Sequence, residues 1–168
     1  MPLHRVQNRE RNNRFEKSRF PLPLYYFGPG FGENFDCLCE SYIWDIAYRF
    51  AIKTDNLEVY ADPLFEKVFF NLFDNAVRHG EHVTEIWIRF EQRGYAGVLI
   101  VEDDGVGVTK EDKSKIFRRG FGKYTGFGLF LTREILAITG ITIQETGEPG
   151  KGARFEMIVP TGEYRFAT

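Results

Sequence analysis

The sequence predicts an α/β protein built as a two-layer sandwich, with one mixed, mostly antiparallel sheet covered on one face by about three helices. Three observations carry this. Apolar residues at helical spacing alternate along the chain with short strand-like runs, in the order helix, strand, helix, strand, strand, loop, helix, strand, strand. Two of the strand runs are separated by Gly94, a turn residue that makes them a hairpin and therefore antiparallel. No G-x-G-x-x-G follows the first strand-to-helix turn, which argues against a doubly wound parallel sheet.

Residues 1–34 are expected to be a disordered or irregular leader and linker, and residues 35–168 one folded domain. The first twenty residues carry six basic side chains against Glu10 and Glu16 and show little apolar periodicity. A solvated leader is one reading and a contact arm for an anionic surface the other; unstructured basic termini are the commoner case. Pro21, Pro23 and Pro29 with Gly28, Gly30 and Gly32 predict no regular element before residue 35. Ile43, Ile46, Ala47 and Phe50 predict a helix over 41–52, and Leu57–Tyr60 alternates as a strand. Asp62-Pro63 reads as a helix N-cap and first-turn proline, for a helix running to about His79 with Gly80 as its stop. Strands are predicted over 83–91 and 95–102, the second apolar enough to be central. A glycine- and charge-rich loop spans 105–125, a helix 126–138, and strands 141–145 and 153–159.

At 168 residues, 43% apolar, the chain can bury a core of its own without cross-links. Its 22 basic and 24 acidic residues leave a formal charge of −2, which excludes a globally basic nucleic-acid binder. Cys37 and Cys39 cannot form a disulfide framework, lack the usual zinc spacing, and fit a reducing compartment as free thiols. No apolar run approaches bilayer length, and the opening MPLHRVQNRE has no signal-peptide core. A cytoplasmic setting is expected.

Four stretches carry chemistry. On the 62–79 helix, Lys67, Asn71, Asn75 and Arg78 fall in a narrow arc beside the apolar face of Val68, Phe69, Leu72, Phe73 and Ala76. Amide oxygens suit a hard, partly hydrated cation such as Mg²⁺ and an arginine suits phosphate, although such a stripe can also simply face water. Asp103-Asp104-Gly105-Val106-Gly107 ends the central strand. There a carboxylate can offer an acceptor while glycines let backbone approach a flat ring, a spacing that ordinary turns also show. Gly120–Leu129 leads glycine-rich backbone into a helix N-terminus, where amides and the dipole favour an anion, with Lys123 and Thr125 as further contacts. No Walker A loop occurs. Gly147–Gly152, taken alone, reads as a hairpin loop.

Together these stretches resemble the ATP-binding domain of sensor histidine kinases, within the GHKL ATPase and kinase family, over about Leu57 to Pro160. DPLFEKVFFNLFDNAVRHG is similar to the N box, EDDGVGV to the G1 box, KIFRRGFG to the F box, TGFGLFLTREI to the G2 box and GEPGKGARFEMIVP to the last glycine turn and strand. The resemblance implies a Bergerat-type fold. It implies Asn75 as Mg²⁺ ligand, Asn71 in the metal and phosphate network, Arg78 on phosphate and His79 against the adenine. It implies further that Asp103 accepts the adenine amino group, that Gly105 and Gly107 shape the base pocket, and that Phe117 anchors a mobile lid over about 108–125. Gly126, Gly128 and the Leu129 amide would bind phosphates, with Lys123 and Thr125 beside them. ATP and Mg²⁺ are the implied ligands.

Hsp90 and topoisomerase relatives place a catalytic glutamate where Asn71 stands, and asparagine is no general base for water. Asp74 lies off the Asn stripe, so the kinase branch and slow hydrolysis are expected. None of His4, His79 and His82 stands in a phosphoacceptor motif. The expected partners, a histidine-bearing dimerisation domain and a response regulator, are therefore not in this chain, and neither nucleic acid nor a membrane span in this chain is expected. The alternative function is an anti-sigma-factor-type serine kinase or an ATP-dependent protein-binding switch of the same family.

Overall fold

A computed structural model describes residues 18–22, 49–54, 56–122 and 126–167, with backbone alone for 18–22 and 49–53. Among these residues lie eight strands and two helices in the order β1 (Ser18–Leu22), β2 (Arg49–Lys53), β3 (Leu57–Ala61), α1 (Phe65–His79), β4 (Glu85–Arg93), β5 (Ala96–Asp103), α2 (Gly128–Ile138), β6 (Thr142–Glu145), β7 (Arg154–Val159) and β8 (Tyr164–Phe166). Five strands form a sheet in the order β2-β4-β5-β7-β6, antiparallel except for the parallel β2–β4 pair. The other three form a small antiparallel sheet, β1-β3-β8.

Strand alternation sets which side chains face the helices. Ile88 pairs in register with Val101, and Val101 with Phe155; Leu99 pairs with Phe90 on one side and Met157 on the other. This inner face packs against Phe65, Val68, Phe69, Leu72 and Phe73 of α1 and Ile135 and Leu136 of α2, all buried. Phe65, Phe69 and Phe73 stack along α1 at i, i+4 spacing, with centroids 5.3 and 6.2 Å apart. The opposite face of the large sheet carries ion pairs, Arg89 with Glu102 (2.5 Å) and Arg93 with Glu156 (3.1 Å).

The α/β layering, the mixed sheet and the hairpin at Gly94 match the sequence expectation, and the differences have local causes. Residues 18–22 form β1 rather than irregular leader, because the free edge of β3 offers a ladder that Pro21 joins at an edge strand, where a missing N–H is tolerated. Arg49–Lys53 is a strand, not the end of a helix: Phe50 and Ile52 fit period 2 as well as helical spacing, and pairing with β4 decides for the strand. Residues 41–48, with Cys37, Cys39 and the rest of the leader, lie outside the described residues. Regular helix starts at Phe65, yet Asp62 still serves its start, its Oδ1 accepting from the Leu64 amide (2.8 Å) and its carbonyl from the Phe65 amide (2.8 Å). β8 has no counterpart in the sequence expectation; it pairs with β3, and Phe90 packs against Tyr164 (5.0 Å, tilted) and edge-on to Phe166 (5.7 Å).

Candidate functional site

Asp103 is the last residue of β5 and pairs in register with Ile86, so alternation turns it to the buried, helix-facing side of the sheet. Only 5% of it is exposed. Its Oδ1 accepts from the amides of Gly105 (2.9 Å) and Ala153 (3.2 Å). Burial pushes the carboxyl above the usual aspartate range; the two amides offset part of this, and the charges of Asp104 and Glu145 add to it. With Oδ1 occupied, Oδ2 holds the acceptor capacity to spare, on a side chain that lines an open cleft. Asp104, one residue on, has the opposite fate. Although burial opposes it, the Thr84 hydroxyl (2.5 Å) and the amides of Thr84 and Glu85 hold its carboxyl below the usual range.

The cleft spans about 300 Å³, open solvent at its mouth included. One wall is the end of α1, with Asn75, Ala76, His79 and Gly80; the other is Asp103, Gly107 and Val108, with Ala153 and Phe155 behind. Backbone closeness builds it. A Cβ on Gly105 would stand 2.6 Å from the Gly80 carbonyl oxygen, which also accepts from the Val106 amide (3.2 Å). A Cβ on Gly152 (φ +107°) would stand 1.8 Å from the Asp103 carbonyl oxygen, and one on Gly107 2.6 Å from that of Gly152. The Gly147–Gly152 turn, a plain hairpin loop when read alone, thus docks on the Asp103–Gly107 segment, and the Gly150 amide adds a bond to the Val106 carbonyl (2.7 Å).

The polar stripe on α1 divides. Asn75 and His79 line the cleft. Asn71, one turn earlier and 8% exposed, donates from Nδ2 to the Gly128 carbonyl (3.1 Å) and to Thr132 Oγ1 (3.2 Å), tying α1 to the first turn of α2. Arg78 pairs with Asp74 (2.6 Å) and is not a lining residue. Lys67 stacks over Phe70, 3.8 Å from the ring centre. The first intrahelical bond of α2 runs from the Leu131 amide to the Phe127 carbonyl (2.8 Å), which leaves the amides of Gly128, Leu129 and Phe130 without helical partners. Asn71, which grips this turn, stands one turn of α1 before Asn75. Gly126 closes the preceding loop, its carbonyl accepting from the Gly120 amide (3.1 Å). Phe117, 8% exposed, lies edge-on to Phe155 at 6.3 Å. Lys123 and Thr125 lie outside the described residues.

Among the described residues no group of three His, Cys, Asp or Glu side chains is placed to hold a metal. A divalent cation here fits only as Mg²⁺ commonly binds, through one protein oxygen such as that of Asn75 with ligand and water oxygens completing the shell. Sequence reasoning missed the lining residues Ala153, Phe155, Val108 and Ala76. Their only signal was position, within three residues of a marked glycine or asparagine.

The model of the histidine kinase-, DNA gyrase B- and HSP90-like ATPases matches residues 61–163, and the chain belongs to that family. Within it, the domain is of the sensor histidine kinase type. The alginate biosynthesis sensor protein KinB of Pseudomonas aeruginosa is 34% identical over 102 residues, 56% of this chain and 17% of KinB. The sensor protein kinase GraS of Staphylococcus aureus is 30% identical over 129 residues, 71% of this chain and 37% of GraS. The chain thus spans a minor part of these relatives. Among solved structures, the nucleotide-free catalytic domain of histidine kinase ThkA superposes with a TM-score of 0.60 at 29% identity, covering 72% of this chain and 85% of that one. Full-length ShkA in complex with AMPPNP, at 22% identity, shares the fold with a TM-score of 0.60 over 72% of this chain and 26% of its own.

Proposed function

We propose that this chain is the ATP–Mg²⁺-binding catalytic domain of a two-component sensor histidine kinase, which donates the γ-phosphoryl group of ATP to a histidine on a dimerisation domain, for onward transfer to a response regulator. The observation that carries the reading is the convergence of Asp103, Asn75 and His79 on one cleft, together with an α2 N-terminus, tied to α1 through Asn71, whose first amides lack helical partners. Asp103 Oδ2 accepts the adenine amino group, and Gly105 and Gly107 let the ring lie against backbone. Asn75 offers the oxygen that holds Mg²⁺, with His79 on the adenine side. Gly126, Gly128 and the Leu129 amide take phosphate oxygens, while Phe117 roots the lid that carries Lys123 and Thr125. Asn71 supports this network by fixing the α2 terminus that presents the amides. Arg78 reaches phosphate once it leaves Asp74, an exposed pair that costs little to open. Bound ATP–Mg²⁺ supplies the phosphoryl group and charge neutralisation along the triphosphate. The chain's part is to hold that group in line for an incoming imidazole while offering no general base to water. ATP as donor, and Cys37 and Cys39 as thiols, suit the cytoplasm.

The relatives described above are sensor kinases, which favours this reading over the anti-sigma-factor-type serine kinase. The test is titration calorimetry with ATP and GTP, with and without Mg²⁺, followed by phosphotransfer from labelled ATP to a histidine-bearing helical hairpin and to a serine peptide. Mg²⁺-enhanced, adenine-selective binding and acid-labile label on the hairpin are expected. No adenine nucleotide binding, or label on serine alone, would overturn it.

A further inference from the structure

Two charged side chains outside the cleft join segments far apart in sequence. Glu145, the last residue of β6, has a fully buried side chain. Its Oε1 accepts from the amides of Gly147 (3.0 Å) and Arg154 (3.1 Å), closing the neck of the loop between β6 and β7. Its Oε2 accepts from Lys113 Nζ, which also donates to the Gly147 carbonyl (2.5 Å). A lysine from one segment therefore clamps both the carboxylate and the backbone at the neck of another.

The loop that this neck closes delivers Gly152 against the Asp103 carbonyl and the Ala153 amide to Asp103 Oδ1. Asp103 in turn donates its own amide to the Ala153 carbonyl (3.0 Å). Lys113 belongs to the turn-rich segment 109–119, whose Ile116 and Phe117 are buried in the core, Phe117 against Phe155. The Lys113 amide is itself held by the Thr109 carbonyl (3.2 Å). One ion pair thus links the root of the lid segment to the loop that sets the position of Asp103.

We propose that Lys113 and Glu145 are positioning residues for base recognition: their part-buried pair couples seating of the 109–119 segment to the placement of the Asp103 carboxylate. The inference rests on the nucleotide-site reading above and adds what controls its base selectivity. It has a clear thermodynamic form. A buried carboxylate deprived of its cation is strongly unfavourable, so the neck opens or shifts when Lys113 is lost, and Oδ1 of Asp103 loses a fixed donor. The phosphate-facing amides of α2 are held separately, through Asn71, and do not depend on this pair.

The test measures Mg²⁺-ADP, Mg²⁺-GDP and Mg²⁺-tripolyphosphate affinities of the full chain, wild type and variants, by calorimetry. Lys113→Met is expected to lower the ADP-to-GDP affinity ratio by roughly fivefold or more, within the usual range of coupling between sites, with tripolyphosphate binding unchanged. Lys113→Arg is expected to restore the ratio. Should Lys113→Met fail to fold, the paired variant Lys113→Met with Glu145→Gln removes the orphan charge, keeps an acceptor at the neck, and is expected to show the same selective loss. An unchanged ADP-to-GDP ratio in a folded variant, or parallel loss of tripolyphosphate binding, overturns the proposal. Wild type that binds tripolyphosphate but no ADP above it overturns the adenine-site reading instead.

Discussion

Replacing Asp103 by asparagine separates what the carboxylate does for the fold from what it does for a ligand. Asparagine is isosteric, and its Oδ1 still accepts from the amides of Gly105 and Ala153, so the backbone turn keeps both donors satisfied. Burial already disfavours the charged carboxylate, so removing the charge relieves a cost rather than creating one. Stability of Asp103→Asn is expected to equal or exceed that of wild type. At the second oxygen the change is drastic, because the group facing the cleft turns from an acceptor into a donor and meets the adenine amino group with the wrong sign. Losing one hydrogen bond to a charged group is worth about 1.5–3 kcal/mol, or roughly 10- to 150-fold in affinity for ADP. Asp103→Ala supplies the contrast: it strips both buried amides of their acceptor and is expected to cost about 2–6 kcal/mol of stability. Calorimetry gives the affinities and urea unfolding the stabilities. ADP affinity within twofold of wild type in a folded Asp103→Asn protein would refute the reasoning, and so would unfolding of the asparagine variant.

Asn75→Ala is expected to leave stability within about 0.5 kcal/mol, as for a partly exposed polar side chain, yet to abolish the gain in ATP affinity that Mg²⁺ brings; titrations with and without the metal check it. Asn71→Ala has the reverse profile. It breaks both bonds to α2 and strands the buried Thr132 hydroxyl, so about 1–3 kcal/mol of stability should be lost in urea melts. The raised carboxyl of Asp103 predicts that ADP affinity declines on acidification at a higher pH than an exposed aspartate would give, with Asp103→Asn showing no such decline. The sign for folding is opposite. A carboxyl whose folded-state value lies above its unfolded one favours proton uptake on folding, so its contribution to stability rises as pH falls through the folded value. Acid loss of ADP binding without acid unfolding is therefore expected, measured by calorimetry beside circular dichroism.

Local patterning made much of this protein legible. α1 announced itself through apolar residues on one face, Asp62-Pro63 before it and Gly80 after it, and β5 through its continuous apolar run. Asn75, Asp103 and Gly107 were marked by chemistry and spacing and His79 by the family resemblance, and they share the cleft. What escaped was whatever depends on a neighbour distant in the chain. Arg49–Lys53 fits two periods, and only the ladder to β4 selects one. Ser18–Leu22 looks irregular until the edge of β3 is present to pair with it.

The sequence by itself determined the order of elements from Leu57 to Val159, the positions where backbone must pass close to backbone, and the residue types able to meet a nucleotide, because these follow from side-chain period and from the absence of Cβ atoms. Tertiary structure alone decided which polar groups remain unspent. Asn71 gives its amide protons to α2, and Asp103 commits one oxygen to the amides of Gly105 and Ala153 and keeps the other. Hydrogen-bonding capacity is a property of the residue, but its satisfaction is a property of what folding brings within about 3 Å of it.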